Sequence, residues 1–504
     1  MKTLWFRELH KYSKTYIIDQ LGGGDSGQKL LDKLRLSNIV RKVRDSKDKT
    51  DEVLPEELSD IMLDDSGVIT FNFVGIVMVG DYVLWCYPKY EENGPSVPAE
   101  KPTEDFAIKF NNVMAAIKKY NKMSRQNIHT IDYSGDSDIF HLSIILELLQ
   151  HYYKNGLYIK SQGLEELNGE GEINWNRTIH ETEAIIANKK PFYPDMYTAL
   201  TQWDEMDYFH QLHRCIISEC FKLLKEAGLK EVLGQPGNLN CEKRLKDFGN
   251  ADQIVRRLKK ELKVQFVTWK KTVLNLMMAY VTKLGAKRKS TKVLFYGTNS
   301  MNLIWERACK DIFGDMLDKK ISELSILPED RRYEFISANE DIKLIDVIDK
   351  PVWTVFENGK SISKDTLIPD TIVINKQDNK LWFNIYDAKY YHVLTTNRNI
   401  SQQPGIESIT KQYLYHQAYK EFMKHFGIEY ITNVFIFPTD KASKRFGKVS
   451  LSFLYDITNQ DIEAVSLNAN EIWKLYVSNA MNELNEVVDG RTDQDPAKPE
   501  HGQN

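Results

Sequence analysis

The stretch that decides the fold is residues 367–391, which read LIPDTIVINKQDNKLWFNIYDAKYY. Two runs of β-branched and aromatic residues flank a polar break, and this pattern predicts a β-hairpin. Side chains alternate across a strand, so Asp387 and Lys389 share one face. If the turn lies in the middle of the break, Asp370 lies opposite Tyr386 or Asp387. The hairpin then brings two carboxylates and one ammonium to a single point.

This grouping suits phosphodiester chemistry. The carboxylates of Asp370 and Asp387 and the carbonyl of Ala388 supply part of the oxygen shell that Mg²⁺ prefers. A divalent cation polarises a phosphodiester and lowers the pKa of a bound water. The ammonium of Lys389 can hold the attacking water or stabilise the transition state. The alternative is an Asp/Lys pair on the wet face of an ordinary hairpin.

Length and composition describe an ordinary globular chain of several domains. The 504 residues are 42% apolar and 27% charged, and such a length predicts about three domains. The formal net charge is −4, so any nucleic-acid-binding surface must be local. Five scattered cysteines and the lack of a signal-peptide pattern predict a reducing cytoplasm. No apolar run approaches the roughly 18 residues of a membrane span.

The N-terminal half is predicted to be a mixed α+β region. Residues 1–67 are expected to contain a strand at 16–18 and a helix at 28–43. The glycine-rich run GGGDSGQK at 22–29 departs from a phosphate loop, because its lysine is one place late and no Ser or Thr follows. We therefore expect this chain to bind no nucleotide by itself. Residues 68–180 are predicted to be β-rich, with a hairpin turn at Gly80-Asp81.

The central region, residues 181–292, is predicted to be helical and basic. Residues 254–292 hold twelve Lys/Arg and one acid, Glu261. Such a run is either a solvated helix face or a surface for phosphate contacts. The candidate DNA-binding residues are Arg256, Arg257, Lys259, Lys260, Lys263, Lys270, Lys271 and Arg288. His and Cys side chains at 210, 213, 215 and 220 have no standard zinc-finger spacing, so we expect them to be core or boundary residues.

The C-terminal region, residues 293–480, is predicted to be an α/β domain around the hairpin. A helix at 301–313 carries Glu306, and a helix at 408–426 carries Gln412. Further strands are expected at 431–437 and 449–455, and residues 485–504 are predicted to be a disordered tail. Glu306 is either part of the site or an exposed helix glutamate paired with a basic neighbour.

Three motifs resemble nuclease families. Pro369-Asp370, a spacer and Asp387-Ala388-Lys389 resemble the PD-(D/E)xK nuclease motif. A turn of the form Leu-x-Gly-x-Gly followed by Trp-x-Arg-Thr, within 156–179, resembles the end of the N-terminal domain of McrC, the nuclease subunit of modification-dependent restriction systems. The segment VGIVMVGDYVLWCYPKY at 74–90 resembles the LlaJI restriction endonucleases, whose nuclease subunit is McrC-like.

The resemblance implies a function and a set of roles. It implies a restriction-endonuclease-like PD-(D/E)xK α/β core that cleaves double-stranded foreign DNA, as in phage defence, with Mg²⁺ held by Asp370, Asp387 and Glu306. Lys389 would orient or activate the water, and Gln412 would support the site. It further implies that the N-terminal half docks to an McrB-like AAA+ GTPase, that GTP binds only to that subunit, and that further restriction subunits and a cognate DNA methyltransferase belong to the system.

Two other functions fit the same residues. A catalytically silent adaptor would activate the GTPase and link it to a separate nuclease. A DNA repair or recombination nuclease would use the same core. The complete set of acidic residues and lysine in the hairpin favours a cutting enzyme over the adaptor.

Overall fold

The structure is a computed structural model that describes a large part of the chain. The described residues are 1–42, 67–95, 98, 102–126, 139–187, 189–203, 207–227, 229–230, 237–284, 293–355, 359–362, 366–395, 400–454 and 460–480. Arg288 and the predicted tail lie outside them. Among the helices of these residues, none is long and apolar enough to cross a membrane.

Helices and strands are mixed along the chain. The helices are α1 (Lys14–Gln20), α2 (Gly24–Leu36), α3 (Glu104–Gln126), α4 (Leu142–Asn155), α5 (Trp175–Glu181), α6 (Tyr208–Glu226), α7 (Ala251–Val264), α8 (Thr268–Leu284), α9 (Met301–Phe313), α10 (Glu329–Asn339), α11 (Ile406–Phe426) and α12 (Ala469–Ser478). The chain is thus a mixed α/β protein, as predicted.

The strands of the described residues form several sheets, one of which is a five-stranded sheet in the C-terminal region. They are β1 (Lys2–Arg7), β2 (Tyr12–Ser13), β3 (Val40–Lys42), β4 (Val68–Phe71), β5 (Val74–Val79), β6 (Tyr82–Tyr87), β7 (Ile139–His141), β8 (Ser161–Leu167), β9 (Glu172–Ile173), β10 (Ile185–Ala187), β11 (Lys190–Phe192), β12 (Tyr197–Trp203), β13 (Val293–Thr298), β14 (Val352–Val355), β15 (Gly359–Ile362), β16 (Thr371–Gln377), β17 (Lys380–Ala388), β18 (Leu394–Thr395), β19 (Ile400–Ser401), β20 (Tyr430–Thr439), β21 (Lys444–Val449) and β22 (Ile462–Asn468).

The chain divides into two compact units, neither of which is continuous in sequence. Unit 1 comprises Met1–Lys2, Val77–Val83 and Asp132–Tyr296, and unit 2 comprises Thr3–Ile76, Leu84–Ile131 and Gly297–Asn504. This division differs from the predicted domains, 1–67, 68–180, 181–292 and 293–480, which remain predictions.

Unit 2 contains a mixed five-stranded sheet in the order β16-β17-β20-β22-β21. β16 and β17 are antiparallel, β17, β20 and β22 are parallel, and β21 is antiparallel to β22. Parallel neighbours need a long crossover, and the connection from β17 to β20 contains α11. One face of the hairpin packs against α11, where the ring centres of Phe383 and Tyr419 lie 5.0 Å apart. On the opposite face the ring centres of Tyr386 and Phe313 of α9 lie 5.2 Å apart.

N-terminal elements are built into unit 2. The Trp473 indole of α12 donates a hydrogen bond to Tyr90 Oη at 2.8 Å. Asn112 Nδ2 of α3 donates to Asn470 Oδ1 at 2.7 Å, and Lys119 Nζ donates to the Tyr476 carbonyl. The C-terminal α/β core is therefore completed by residues that precede their hydrogen-bond partners by more than 300 positions.

In unit 1, helices α4, α6, α7 and α8 pack together around Tyr158. The Tyr158 N–H donates to His213 Nδ1 at 2.9 Å, and the His210 ring donates to the Tyr158 carbonyl at 3.1 Å. Tyr158 Oη donates to Glu261 Oε1 at 2.8 Å. Burial lowers the pKa of His213 to about 3, so its imidazole is neutral. Both histidines are core residues, and no group of three metal ligands occurs in the described part of the chain.

Several predicted elements are confirmed. The helix at 301–313 is α9, and the predicted helix at 408–426 lies within α11. The turn at Gly80-Asp81 joins β5 and β6, and Gly80 has φ 59°. This left-handed conformation favours glycine.

Three predictions are wrong. Residues 16–18 form part of α1, because the Ser13 hydroxyl accepts from the Tyr16 N–H and caps a helix there. The helix predicted at 28–43 begins at Gly24 and ends at Leu36. The strand predicted at 449–455 is not present as such, because β21 ends at Val449 and residues 452–454 are helical.

Candidate active site

The predicted hairpin is present, and the structure decides between the two registers that the sequence leaves open. Gln377 pairs with Lys380, which leaves Asp378 and Asn379 as the two turn residues. Their φ angles are 47° and 63°, as a type I′ turn requires. Thr371 pairs with Tyr386, so the preceding Asp370 lies opposite Asp387.

The two carboxylates and the lysine meet at the end of the hairpin. Lys389 Nζ lies 3.0 Å from Asp387 Oδ1, and the Ala388 N–H donates to Asp370 Oδ2 at 3.0 Å. The Lys389 N–H donates to the Ile436 carbonyl of β20 at 2.9 Å. Asp387 is buried, whereas Asp370 and Lys389 are half-buried. The backbone of three adjacent strands thus fixes the three functional groups.

Burial and the closeness of the two carboxylates shift the pKa values of the ionisable groups at the hairpin end. Burial raises the pKa of Asp370 well above its usual range, and the Asp387 carboxylate, to which Asp370 is hydrogen-bonded, raises it further. Burial lowers the pKa of Lys389, but Asp387 and Asp370 raise it more, so the net pKa lies above that of a free lysine. Lys389 is therefore a cation, and a proton or a bound cation is needed to offset the two carboxylates.

Glu306 approaches this group from α9. It is half-buried, and burial raises its pKa, while Lys389 lowers it and Asp387 raises it. The neighbouring Trp305 is fully buried and its indole donates to the Ile436 carbonyl at 3.3 Å. The carbonyl that receives the Lys389 N–H therefore also anchors the helix that carries Glu306.

Gln412 is fully buried in α11. Its backbone carbonyl accepts from Asn433 Nδ2 at 3.0 Å. Neither Nε2 nor Oε1 of its side chain has a hydrogen-bond partner among the described residues. Leaving a buried amide unpaired is costly, so this side chain has polar capacity that the folded chain itself does not use. Its predicted role beside Lys389 remains a prediction.

Two further residues near the site escaped sequence analysis. Tyr415 Oη donates to the Ile368 carbonyl at 2.9 Å, two residues before Asp370, and burial and the site's carboxylates raise its pKa. Cys309 is buried, and burial together with Asp370 and Glu306 raises its thiol pKa. Tyr415 follows Gln412 by three residues and Cys309 follows Glu306 by three. This helical spacing is the signal that could have found them.

The donor chemistry at the hairpin fits a hard divalent cation. Two carboxylates and the Ala388 carbonyl are oxygen donors, and Mg²⁺ is usually held by one or two carboxylates with several waters. Within the described ranges no three His, Cys, Asp or Glu side chains converge as a ligand set. The hairpin end thus offers two carboxylates and one carbonyl as oxygen donors, and the predicted role of Glu306 at the metal remains a prediction.

Most of the predicted DNA-binding residues lie on α7 and α8. Exposed side chains in this set are those of Arg256, Arg257, Lys259, Lys260, Lys263 and Lys271. Lys270 is different, because it is half-buried and its Nζ donates to the Ile159 carbonyl at 2.7 Å. The acid of the segment, Glu261, is buried and lies 3.2 Å from Lys160 Nζ. The exposed surface of α7 is therefore more basic than the sequence count indicates.

Comparison with known proteins identifies the family. The model of the LlaJI restriction endonuclease family matches residues 73–472, and this confirms the predicted resemblance. The type II restriction enzyme BsuMI component YdjA of Bacillus subtilis (strain 168) is 26% identical over 436 residues, which are 82% of each chain.

Two solved structures from Thermococcus gammatolerans are distantly similar. One is a half-complex from a tetradecameric assembly of McrB AAA+ hexamers with bound McrC, at 12% identity and a TM-score of 0.37, covering 95% of this chain and 100% of that chain. The other is the McrBC complex, at 12% identity and a TM-score of 0.23, covering 61% and 85%. Such TM-scores are too low to assign a fold. The sequence match, by contrast, spans most of the chain, and the protein belongs to the LlaJI restriction endonuclease family.

Proposed function

We propose that this protein is the Mg²⁺-dependent nuclease subunit of a restriction system and hydrolyses phosphodiester bonds of double-stranded DNA. The observation that carries the proposal is the hairpin end. There Asp370 lies opposite Asp387, and Lys389 Nζ lies 3.0 Å from the Asp387 carboxylate. A two-carboxylate and lysine group of this kind, in a chain of a restriction endonuclease family, favours a PD-(D/E)xK nuclease core.

The chain's residues have distinct parts in the proposed hydrolysis. Asp370, Asp387 and the Ala388 carbonyl would hold Mg²⁺, which supplies Lewis acidity at the scissile phosphate and lowers the pKa of water. Lys389, kept protonated by the carboxylates, positions the attacking water and stabilises negative charge that develops on the phosphate. Glu306, whose pKa is raised by burial, would contact the cation directly or through a water.

The partner proposal rests on other support. The Bacillus subtilis relative is described as a component of a restriction enzyme, which fits a chain that works with other subunits. We propose that the partner is an McrB-like AAA+ GTPase, that GTP acts only through it, and that a cognate methyltransferase protects host DNA. In the described residues 22–29 the glycines are the cap and first turn of α2, and the lysine that a phosphate loop needs is misplaced.

The test is DNA cleavage by the purified full chain with Mg²⁺, with and without the GTPase, on methylated and unmethylated duplexes. The variant is Asp387→Asn, which preserves the shape of the side chain and removes its charge. The matched control is Asp378→Asn in the exposed turn of the same hairpin. We expect native protein and Asp378→Asn to cut in the presence of the partner, and Asp387→Asn not to cut. Equal cutting by Asp387→Asn would refute the assigned site. If no form cuts but GTP hydrolysis is stimulated, the protein is an adaptor.

A further inference from the structure

Unit 1 contains a cleft that none of the proposed nuclease chemistry uses. Its volume is about 630 Å³, within the range of about 300–1,000 Å³ that is typical of small-molecule sites. It lies between the start of α6, the segment Leu245–Phe248 and the first half of α7. Its lining includes Tyr208, Lys243, Asp247, Phe248, Arg256 and Arg257.

The charge of the lining is suited to an anion. Three cationic side chains, Lys243, Arg256 and Arg257, face one carboxylate, Asp247. That carboxylate is already engaged, because Asp247 Oδ2 accepts from the Arg244 N–H at 2.8 Å. Contacts of the cations with described residues are to rings or carbonyls rather than to carboxylates. Positive charge in the cleft is therefore available to a ligand.

The cleft is also aromatic and preorganised. Tyr208 Oη donates to the Phe248 carbonyl at 3.0 Å, and the two rings lie 5.6 Å apart at 75°. The Arg257 guanidinium lies 4.5 Å from the centre of the Tyr208 ring, which holds the cation at the aromatic wall. Arg256 Nε donates to the Asp252 carbonyl at 3.3 Å. A ligand would thus meet side chains whose positions are set before it binds.

The start of α7 is fixed beside this wall by a reciprocal cap. The Gln253 N–H donates to Asn250 Oδ1 and the Asn250 N–H donates to Gln253 Oε1, each at 2.9 Å. Gly249, with φ 115°, precedes the cap, and a Cβ there would lie 2.7 Å from Gln253 Oε1. A glycine is therefore required for the chain to enter α7 along the edge of the cleft.

We propose that the cleft binds a phosphorylated nucleoside, with the phosphate at Lys243, Arg256 and Arg257 and the base beside Tyr208. Guanidinium groups are the preferred partners of phosphates, and aromatic and arginine planes are surfaces on which unpaired bases stack. A base inside a duplex cannot enter such a cleft, so the nucleotide is unpaired. Where the nucleotide belongs to a DNA strand, the proposal rests on the proposed nuclease function.

The experiment measures binding of thymidine 5′-monophosphate to the full chain by calorimetry, beside thymidine and inorganic phosphate. We expect the monophosphate to bind about tenfold or more tightly than either part alone, since phosphate and base contribute separately. Equal affinity for monophosphate and inorganic phosphate, or no binding of any nucleotide, would overturn the proposal. A short single-stranded oligonucleotide distinguishes the sources: tighter binding than the monophosphate identifies a DNA strand, and weaker binding identifies a free nucleotide.

Two variants separate the cleft from general positive charge. Arg257→Gln removes one cleft cation and should weaken monophosphate binding about tenfold. The matched control is Lys222→Gln, an exposed lysine of α6 outside the cleft, which should leave that binding unchanged. Equal loss in both variants would contradict the site, and circular dichroism checks that both are folded. Cleavage by Asp387→Asn is a separate readout, so a failed nuclease assignment leaves the nucleotide measurement interpretable.

Discussion

A buried hydrogen bond joins the N-terminal segment to the residue that follows the candidate catalytic lysine. Tyr390 Oη donates to Glu8 Oε2 at 2.6 Å, and the Lys89 N–H donates to the same oxygen at 3.1 Å. Glu8 and Tyr390 are 6% and 7% exposed, so water cannot replace a lost donor. Tyr390→Phe deletes only the hydroxyl and leaves the buried carboxyl of Glu8 short of one hydrogen bond.

The size of the effect follows from this burial. Leaving a buried polar group without its partner costs about 1–3 kcal/mol, so we expect Tyr390→Phe to lower the free energy of unfolding by about 2 kcal/mol. The urea dependence increases with the surface exposed on unfolding and is larger here than the value of about 1–3 kcal/mol per molar for small proteins, so the unfolding midpoint should fall by less than about 1 M. The assay is urea unfolding followed by circular dichroism.

The matched variant is Glu8→Gln, whose amide oxygen can still accept from Tyr390 Oη, and the double variant closes a thermodynamic cycle. Burial raises the pKa of Glu8. At a pH above that pKa, we expect the cost of Tyr390→Phe to shrink by about 1 kcal/mol in the Glu8→Gln background, because the hydrogen bond to Tyr390 is then neutral rather than charge-assisted. A midpoint unchanged by Tyr390→Phe, or a cost that is the same in both backgrounds, would refute the coupling of the N-terminal segment to this site.

Lys389→Ala should abolish cleavage yet retain Mg²⁺ binding, measured by calorimetry, because the lysine is not a ligand; loss of metal binding would contradict its role. Reversing the charge of four exposed cations of α7 should weaken binding to duplex DNA for all sequences alike, as measured by anisotropy. The slope of log K against log salt concentration should flatten by about 0.9 for each phosphate that the protein no longer neutralises. An effect on one sequence only would mean that these residues read bases. Those four are Arg256, Arg257, Lys259 and Lys260. Burial, and then Asp440, raise the pKa of Glu91 to about 7. Because this pKa is higher in the folded state, the protonated carboxyl gives stability that is present below pH 4.5 and lost as the pH rises through 7. Between those pH values the free energy of unfolding of Glu91→Gln should rise by up to about 3 kcal/mol relative to that of the native protein. Parallel pH profiles of the two unfolding free energies would exclude this. Residues 1–180 should bind an McrB-like GTPase, measured by co-elution, and stimulate its hydrolysis of GTP, measured by turnover. If a variant of α7 alone abolishes both binding and stimulation, the docking surface lies elsewhere.

One expectation about fragments changes with the structure. From sequence, residues 290–480 alone are expected to keep at most weak, unregulated nuclease activity. In unit 2, however, Tyr90 and Glu8 satisfy the buried Trp473 indole and Tyr390 hydroxyl. A fragment without the N-terminal segment would expose these groups, so we now expect it to be poorly folded. Docking is therefore best tested in full-length chains with surface substitutions.

The sequence by itself determined the local features of the site. A polar break between alternating runs specified the hairpin and limited Asp370 to a position opposite Tyr386 or Asp387. The register that the structure shows buries Ile372, Ile374 and Phe383 on the same side. That register placed Asp370 opposite Asp387. The apolar spacing of α9 likewise specified its ends and the position of Glu306.

Only the tertiary structure decided how distant parts complete one another. Local propensity favoured a strand at 16–18, but a serine cap and a buried Ile17 made it a helix. No sequence period links Glu8 to Tyr390, or Lys270 to the Ile159 carbonyl. These contacts arise because buried polar groups must find partners wherever the folded backbone brings them. For the same reason the cleft beside Tyr208 is absent from any sequence motif: its cations and rings come from three separate segments that only packing brings together.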